Sequence, residues 1–235
     1  MKILLGLILC LTFHGIFVGS SFALVDSNVQ EFLENRVNQW PELYLPNLKV
    51  SDISKDLIYP KWFEGNWLVT SQDIINDSEE PVIYKVNFFK NDSDLIVGNR
   101  AKNSESIGKA LFGDTLIKVV NDPKSFNSQI TYLKDDFYIN SRITGRTQIQ
   151  DNDIFFADEL AIQTDHRPGA SRVNQVEVIS KFKKCDLINL KFKDKQKTAI
   201  CGVQYIASYG SKVGDPSVQA IKTNKYKLNF KFIGN

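Results

Sequence analysis

The chain has 235 residues, and its 29 Lys and Arg side chains nearly balance 27 Asp and Glu side chains, which gives a formal net charge of +2. Charges of both signs are interspersed, and there is no long basic run to neutralise a phosphate backbone, so composition argues against a nucleic-acid partner. No linker, low-complexity tract or repeat divides the chain after its N-terminal segment, which predicts one folded domain.

The N-terminal segment has the pattern of a secretory signal peptide. Met1-Lys2 precedes the apolar run ILLGLILCLTFHGIFVG, and the small residues Ser21 and Ala23 follow at the spacing that a signal peptidase reads. We therefore expect cleavage between Ala23 and Leu24, which removes residues 1–23 and leaves no transmembrane helix. A retained membrane anchor is the alternative, because the apolar run is nearly long enough to span a bilayer.

Export changes how the cysteines are interpreted. Once Cys10 has left with the signal segment, Cys185 and Cys201 remain as an even pair in a compartment that permits disulfides. A bridge between them would stabilise the fold by about 3 kcal/mol in the chain-entropy model. A hairpin turning near KDKQ, residues 193–196, would place the two cysteines out of register, so a pair of buried free thiols stays open as the alternative.

Residues 24–63 are predicted to form an N-terminal helix and an extended, irregular segment. Ser27 and Gln30 fit a capping box at the start of the helix, which should end at Pro41. Apolar residues recur there at helical spacing, namely Val29, Phe32, Leu33, Val37 and Trp40. The remainder, to residue 63, is apolar but without periodicity, which indicates an extended segment lying on the domain.

Period-two alternation begins after Gly65 and continues almost to the end of the chain, in short segments separated by polar turn sequences. The last segment shows it most clearly, with apolar Tyr226, Leu228, Phe230 and Phe232 alternating with Lys225, Lys227, Asn229 and Lys231. An earlier segment is predicted to bury Val176, Val178 and Phe182 and to expose Gln175, Glu177 and Lys181. Each strand should therefore have one dry and one wet face.

Antiparallel strands of this kind form either a sandwich or an up-and-down barrel. The connections are of hairpin length throughout, which favours the meandering barrel, because a Greek-key sandwich needs longer crossovers. Residues 64–235 are therefore predicted to form an all-β, antiparallel barrel of about 8–10 strands. The one interruption, SESIGKALF at residues 104–112, is interpreted as a helical turn over a barrel end.

Two resemblances refine this prediction. Gly65-Asn66-Trp67 on the first strand resembles the opening motif of lipocalins, which implies a lipocalin-like barrel with Trp67 at its floor and Gly65 letting the entry segment pass close beneath the tryptophan. Five stretches, in chain order, resemble an uncharacterised cyanobacterial family with plant plastid relatives: YPKWFEGNWLVTS, NRAKNSESIG, ITGR, QVEVISKF and KYKLNF. That resemblance implies a periplasmic or thylakoid-lumen location, a lipocalin-like topology, and no catalytic residue to carry over.

Catalytic and metal chemistry find little support in the sequence. His166, in TDHRPGAS, is the only histidine left after the predicted cleavage, and we interpret it as an exposed turn residue, which leaves no partner set for a triad or a zinc site. Asp151 with Asp153, and Asp92 with Asp94, lie in hairpin sequences where Asp serves turn geometry. No cofactor and no metal are predicted.

Several charged residues lie within predicted strands instead of turns: Arg100, Arg142, Arg146, Asp158, Glu159 and Glu177. Hairpin folding is expected to bring Arg142 near Asp158, and Glu159 near Glu177. If these side chains point inward they line a pocket, and the candidate ligand-binding residues of the barrel interior are then Trp67, Arg100, Arg142, Arg146, Glu159, Glu177 and Tyr226. The alternative is an exposed outer ladder, favoured because Arg142 and Arg146 share parity with polar neighbours.

Three functions are consistent with this pattern. The first is an exported, non-enzymatic protein that binds a small hydrophobic ligand such as a pigment, lipid or isoprenoid. The second is an interaction or assembly factor for a photosynthetic membrane complex, acting without a ligand in the thylakoid lumen or periplasm. The third is an isomerase or lyase that would require at least a pocket containing Tyr226 and Glu159. The volume of the interior pocket is expected to separate the first two.

Overall fold

The computed structural model describes residues 27–48, 55–76, 78–185, 200–211, 213 and 215–234. The predicted signal segment and its cleavage site, and the KDKQ turn, lie outside the described residues, so they stay predictions. Among the described residues, none of the helices has the length and apolar character needed to cross a bilayer.

Two α-helices and eleven strands make up the described part of the chain. The helices are α1 (Ser27–Gln39) and α2 (Arg100–Phe112), and single 3-10 turns span Lys61–Phe63 and Gly113–Thr115. The strands are β1 (Ile58–Tyr59), β2 (Gly65–Asp73), β3 (Val82–Lys90), β4 (Ile96–Gly98), β5 (Leu116–Asp122), β6 (Ser125–Leu133), β7 (Tyr138–Gln150), β8 (Ile154–Arg167), β9 (Ala170–Lys184), β10 (Ile200–Tyr209) and β11 (Lys222–Gly234).

All eleven strands belong to one antiparallel sheet, in the order β1-β4-β3-β2-β11-β10-β9-β8-β7-β6-β5. Strands β5 to β11 follow one another as a meander, and β11 then pairs with β2, which confirms the predicted meandering antiparallel architecture. The sheet curls into a half-barrel whose two edges, β1 and β5, are not paired with each other among the described pairings.

Helix α2 lies at the open side of the half-barrel, next to β3 and β5. Because β4 pairs with β3 only at Phe88–Lys90, the rest of that edge needs other partners. Asn103 supplies them for Asn87, since its Oδ1 accepts from the backbone N–H at 2.8 Å and its Nδ2 donates to the carbonyl at 3.0 Å. The Ser106 hydroxyl accepts from the backbone N–H of Lys85 at 3.0 Å. Side chains of α2 thus take the place of a neighbouring strand.

This helix corrects two predictions. The helical turn predicted at residues 104–112 is part of a 13-residue helix that begins at Arg100, so Arg100 lies on a helix and not inside a strand. The sequence NRAK follows directly on β4, and its polar-apolar alternation is equally compatible with a strand. Contacts with β3 and β5 stabilise the helix instead. It packs so closely that a Cβ on Gly108 would lie 2.9 Å from Leu116 Cδ2.

The concave face of the sheet carries an inner aromatic core, made of Phe63, Trp67, Phe88, Phe155, Phe182 and Phe230. Trp67 is buried, as predicted, and its Nε1 donates to the carbonyl of Phe63 at 2.7 Å. Gly65 adopts a φ of +119°, and a Cβ there would lie 2.5 Å from Phe232 Cε2. The glycine in the Gly65-Asn66-Trp67 motif therefore makes room for an aromatic ring of the last strand.

The convex face is also covered, which was not predicted. Helix α1 and residues 40–48 pack Leu33, Leu43 and Leu45 against it. As a result Gln175 and Glu177, expected on a wet face, are only 2 % and 0 % exposed. Period-two alternation separates the two faces of a strand, but it does not report whether another segment of the chain lies over the polar one.

Cys185 and Cys201 form a disulfide in this structure, with their Cα atoms 5.3 Å apart. Strands β9 and β10 are paired so that Cys201 lies opposite Lys183, and Cys185 is reached diagonally just beyond the end of β9. The bridge therefore joins the two strands where their pairing ends.

Gly202 offers a test of the inner aromatic core. A Cβ at this position would lie 2.1 Å from Phe182 Cδ1 and 3.1 Å from the carbonyl oxygen of Lys181. Because overpacking typically costs about 1–3 kcal/mol, we expect Gly202→Ala to lower the free energy of unfolding by about 2 kcal/mol in urea denaturation. Gly210→Ala is the matched control, since a Cβ there meets nothing within 4 Å. Equal losses in both variants would contradict this packing.

Candidate functional site

A β-bulge in β7 decides which arginine faces the inside of the half-barrel. Arg142 lies opposite Ile162 of β8, on the convex side, but the register shifts between Ile143 and Gly145, and Arg146 then lies opposite Glu159. Residues four apart on a regular strand share a face, whereas a bulge of one residue reverses the parity beyond it. The prediction that Arg142 and Arg146 share a face is therefore wrong, and so is the predicted approach of Arg142 to Asp158.

Four side chains meet inside the half-barrel to form an inner charge cluster, consisting of Asp56, Arg100, Arg146 and Glu159. Arg100 Nε lies 2.6 Å from Asp56 Oδ1, and Arg100 Nη2 lies 3.1 Å from Glu159 Oε1. Arg146 donates to the same Glu159 oxygen from Nε at 2.8 Å and from Nη2 at 2.6 Å. Two positive and two negative charges thus balance, as partly buried charges require.

The inner charge cluster joins four separate parts of the chain: the segment before β1, helix α2, and strands β7 and β8. Neighbouring polar contacts reinforce this junction. Arg146 Nη2 also donates to Asn127 Oδ1 at 2.8 Å, and Gln148 Nε2 donates to the carbonyl of Ile58 at 2.9 Å. The open side of the sheet is therefore crossed by side-chain hydrogen bonds in place of a strand pairing.

Glu159 is held in its ionised form by its neighbours. Burial acts to raise the pKa of this carboxyl, but the charges of Arg100 and Arg146 outweigh it, so its pKa lies below the ordinary value. The nearby Tyr59 phenol responds in the opposite direction, because burial and then the charge of Glu159 raise its pKa. All three guanidinium bonds go to Oε1 of Glu159, and Oε2 receives no donor from the part of the chain that is described.

A cavity of about 180 Å³ lies between the inner aromatic core and the inner charge cluster. Most of its wall is aromatic or aliphatic, and its polar edge includes Glu159, Ser180 and Gln204. Gln204 Nε2 donates to Ser180 Oγ at 3.1 Å, and this contact leaves the side-chain amide oxygen of Gln204 available as an acceptor. The arrangement suits an apolar molecule that carries one hydrogen-bond donor.

A second, outer charge cluster lies on the convex face beneath α1 and consists of Arg36, Asp158, Glu177 and Tyr209. Arg36 Nε and Nη2 donate to Glu177 Oε1 at 2.9 and 2.7 Å, and Nη2 also donates to the carbonyl of Tyr44 at 2.8 Å. The Tyr209 hydroxyl donates to Glu177 Oε2. Helix α1 is thereby anchored through its only buried charge to a carboxylate that is 0 % exposed.

Asp158 is the unusual member of the outer charge cluster. It is 0 % exposed, and neither carboxylate oxygen meets a donor among the described residues. Burial, followed by the charge of Glu177, raises the pKa of Asp158 well above its ordinary value. A proton on Asp158 removes the like-charge conflict and supplies a donor, so the neutral acid is the form that this site favours.

The predicted interior set is thus divided between the two faces. Glu159 and Glu177 lie on adjacent strands, but Glu159 pairs with Val178 and Glu177 with Leu160, which places them on opposite sides of the sheet. Trp67, Arg100, Arg146 and Tyr226 belong to the inner side, and Tyr226 packs at the margin of the aromatic core. Arg142 is exposed on the other side and does not join either cluster.

His166 lies on β8 and not in a turn, which corrects another prediction. Its ring stacks on Tyr138, with centroids 4.4 Å apart, between Asn140 and Ser171. Its pairing opposite Tyr138 places it on the convex side, away from the cavity. Within the described residues, no group of three His, Cys, Asp or Glu side chains is arranged to hold a metal ion.

Sequence reasoning missed Asp56, Arg36 and Tyr209 as members of these clusters, and Tyr59 as the phenol near Glu159. Asp56 and Tyr59 belong to the segment without periodicity, and Arg36 was absorbed into the polar side of an amphipathic helix. The one available signal was Arg36 itself, since it lies three residues after Leu33 and one before Val37, at the border of the apolar stripe.

These observations define a curled antiparallel half-barrel with a small cavity on its inner side and a helix on its outer face. Residues 70–233, from β2 to β11, match the family described as Domain of unknown function (DUF6816), and the chain belongs to that family. No curated protein and no solved structure matches the chain. Arg100, Arg146 and Glu159 lie within the matched region, whereas Arg36 and Asp56 precede it.

Asp158 predicts how stability depends on pH. An unfolded Asp has a pKa of about 3.9, and the folded pKa is higher, so between the two the folded chain binds more protons and the free energy of unfolding falls as pH rises. This fall in the free energy of unfolding reaches at most about 1.4 kcal/mol per pH unit. We expect Asp158→Asn, which keeps the shape of the neutral acid, to remove it. Urea denaturation between about pH 4 and pH 8 measures this pH dependence of the free energy of unfolding.

The matched control is Asp92→Asn, an exposed aspartate in the turn between β3 and β4. This variant should retain the pH dependence of the unsubstituted protein. If Asp158→Asn shows the same slope as that control, Asp158 does not carry a proton in the folded state.

Proposed function

We propose that the protein is an exported, lipocalin-like, non-enzymatic binding protein that holds a small, mainly apolar ligand in the cavity of the half-barrel. The observation that supports this function is the cavity between the inner aromatic core and Glu159, whose Oε2 receives no donor from the described residues. Aromatic walls with a few convergent polar groups are the usual composition of small-molecule sites.

The size of the cavity limits the ligand. An apolar protein cavity of about 150 Å³ accommodates benzene, whereas drug-sized ligands occupy roughly 300–1,000 Å³. With about 180 Å³ available, the ligand is a single substituted ring or an equally small fragment. A complete pigment, an acyl chain or a long isoprenoid exceeds this volume, so the proposal narrows to a ring-sized member of these chemical classes.

The polar edge of the cavity sets the orientation of the ligand. Glu159 is ionised and accepts hydrogen bonds, and the Gln204 carbonyl oxygen lies at the same edge, so the ligand should present a hydroxyl or N–H group there. Its ring would lie against Phe155, Phe182 and Phe230. A non-enzymatic role is proposed because the only histidine of the described chain, His166, lies on the opposite side of the sheet.

The proposed location is the periplasm or the thylakoid lumen of a cyanobacterial or plastid source. The signal-peptide pattern at residues 1–23 supports export. The bridge between Cys185 and Cys201 agrees with it, because disulfides persist in oxidising compartments and are rare in the cytosol.

A second candidate is an interaction or assembly factor for a photosynthetic membrane complex. It is favoured by the aromatic side chains that already fill most of the interior, and by three exposed apolar residues where α2 ends and β5 begins. These are Leu111, Phe112 and Ile117, which are 56 %, 49 % and 56 % exposed. In this case the cavity is a gap in the packing of the core and binds no ligand.

Binding of small aromatic probes in the cavity distinguishes the two candidate functions. We expect 4-fluorophenol, followed by ¹⁹F NMR and calorimetry, to bind saturably and more tightly than fluorobenzene, because only the phenol donates to Glu159. Ala157→Val narrows the cavity wall and should abolish binding of both probes. Ala207→Val is the matched control, since Ala207 is equally buried but lies on the convex face.

Binding that survives Ala157→Val, or equal affinity for phenol and fluorobenzene, would contradict this placement. No saturable binding of either probe to the folded protein would reject the ligand-binding function and leave the interaction factor as the candidate.

A further inference from the structure

A cleft of about 670 Å³ lies on the outside of the half-barrel, between one face of α2, strand β3 and the end of β11. It is separate from the inner cavity, because Lys85, Asn87 and Asn66 lie on the side of β2 and β3 opposite the aromatic core. Its volume falls within the range of roughly 300–1,000 Å³ that small-molecule sites occupy.

The cleft is electrostatically unbalanced. Lys85, Lys102 and Lys109 line it together with one acid, Glu105, and that acid already pairs with Lys109 at 2.5 Å. Among the described residues, neither Lys85 nor Lys102 has an ion-pair partner. Two positive charges therefore face the same recess without compensation, and a ligand carrying two negative charges would neutralise them.

The floor of the cleft is fixed by hydrogen bonds. Asn103 and Ser106 bind the backbone of β3 and hold α2 at a set distance from it. Asn87 Nδ2 donates to Asn66 Oδ1 at 2.9 Å, which orients the Asn66 amide, and its own NH₂ group has no acceptor in the described part of the chain. Lysines on either wall and an amide donor on the floor therefore line one recess.

We propose that this cleft binds a small dianionic molecule, a dicarboxylate or a phosphate monoester, between Lys85 and Lys102. Asn66 would donate to one of its oxygens. The site stands independently of the proposed function, since it uses neither the inner cavity nor the inner charge cluster.

Titration of the protein with succinate, inorganic phosphate and neutral succinamide tests this site. We expect saturable binding of succinate or phosphate by calorimetry, weaker at higher ionic strength because the contacts are exposed to solvent, and no binding of succinamide. Which of the two anions binds more tightly identifies the carboxylate or the phosphate class. The double variant Lys85→Gln, Lys102→Gln should bind the preferred anion at least tenfold more weakly.

The matched control is Lys134→Gln, Lys222→Gln, which removes two exposed lysines remote from the cleft and should leave binding unchanged. An equal loss in the control would overturn the site, because it would show a general effect of net charge. So would equal binding of succinamide, or no saturable binding below about 10 mM to the folded protein. Binding of fluorophenol in the inner cavity should be the same in all these variants.

Discussion

The ion pairs of Arg100 with Asp56 and Glu159 hold together the open side of the half-barrel, between the two unpaired edges of the sheet. A curled sheet that ends at two unpaired edges exposes backbone groups and leaves its concave face open to water. Here the opening is crossed by α2 and by the segment before β1, and both are attached through the inner charge cluster. The same contacts that complete the wall also give the cavity its polar edge.

Two acids on adjacent residues of β8, Asp158 and Glu159, show how environment separates chemically similar groups. Glu159 has two guanidinium partners and stays ionised, whereas Asp158 is buried beside Glu177 and favours its neutral form. The sheet keeps them apart, because neighbouring residues of a strand point to opposite faces. The inner charge cluster and the outer charge cluster therefore lie on opposite faces, and Glu159 of the inner one lines the cavity of about 180 Å³.

Much of the architecture was accessible from the sequence. Helical spacing from Val29 to Trp40 and period-two alternation in β11 report burial within one element, and both elements lie where they were predicted. The site was accessible only in part. Arg146 and Glu159 were recognised as charged residues within strands, but the bulge in β7 reversed the parity from which the direction of Arg146 had been inferred.

The sequence by itself determined the antiparallel class, because side chains alternate along each strand, and the meander, because the connections have hairpin length. The burial of Trp67 was implied by the resemblance of Gly65-Asn66-Trp67 to the lipocalin opening motif. Only the tertiary structure decided that α1 covers Gln175 and Glu177, that α2 serves as a neighbour to β3, and that Asp56 completes the inner charge cluster. The physical reason is that local periodicity records which face is apolar. Contacts between segments far apart in the chain depend instead on strand register and on the free energy of packing them together.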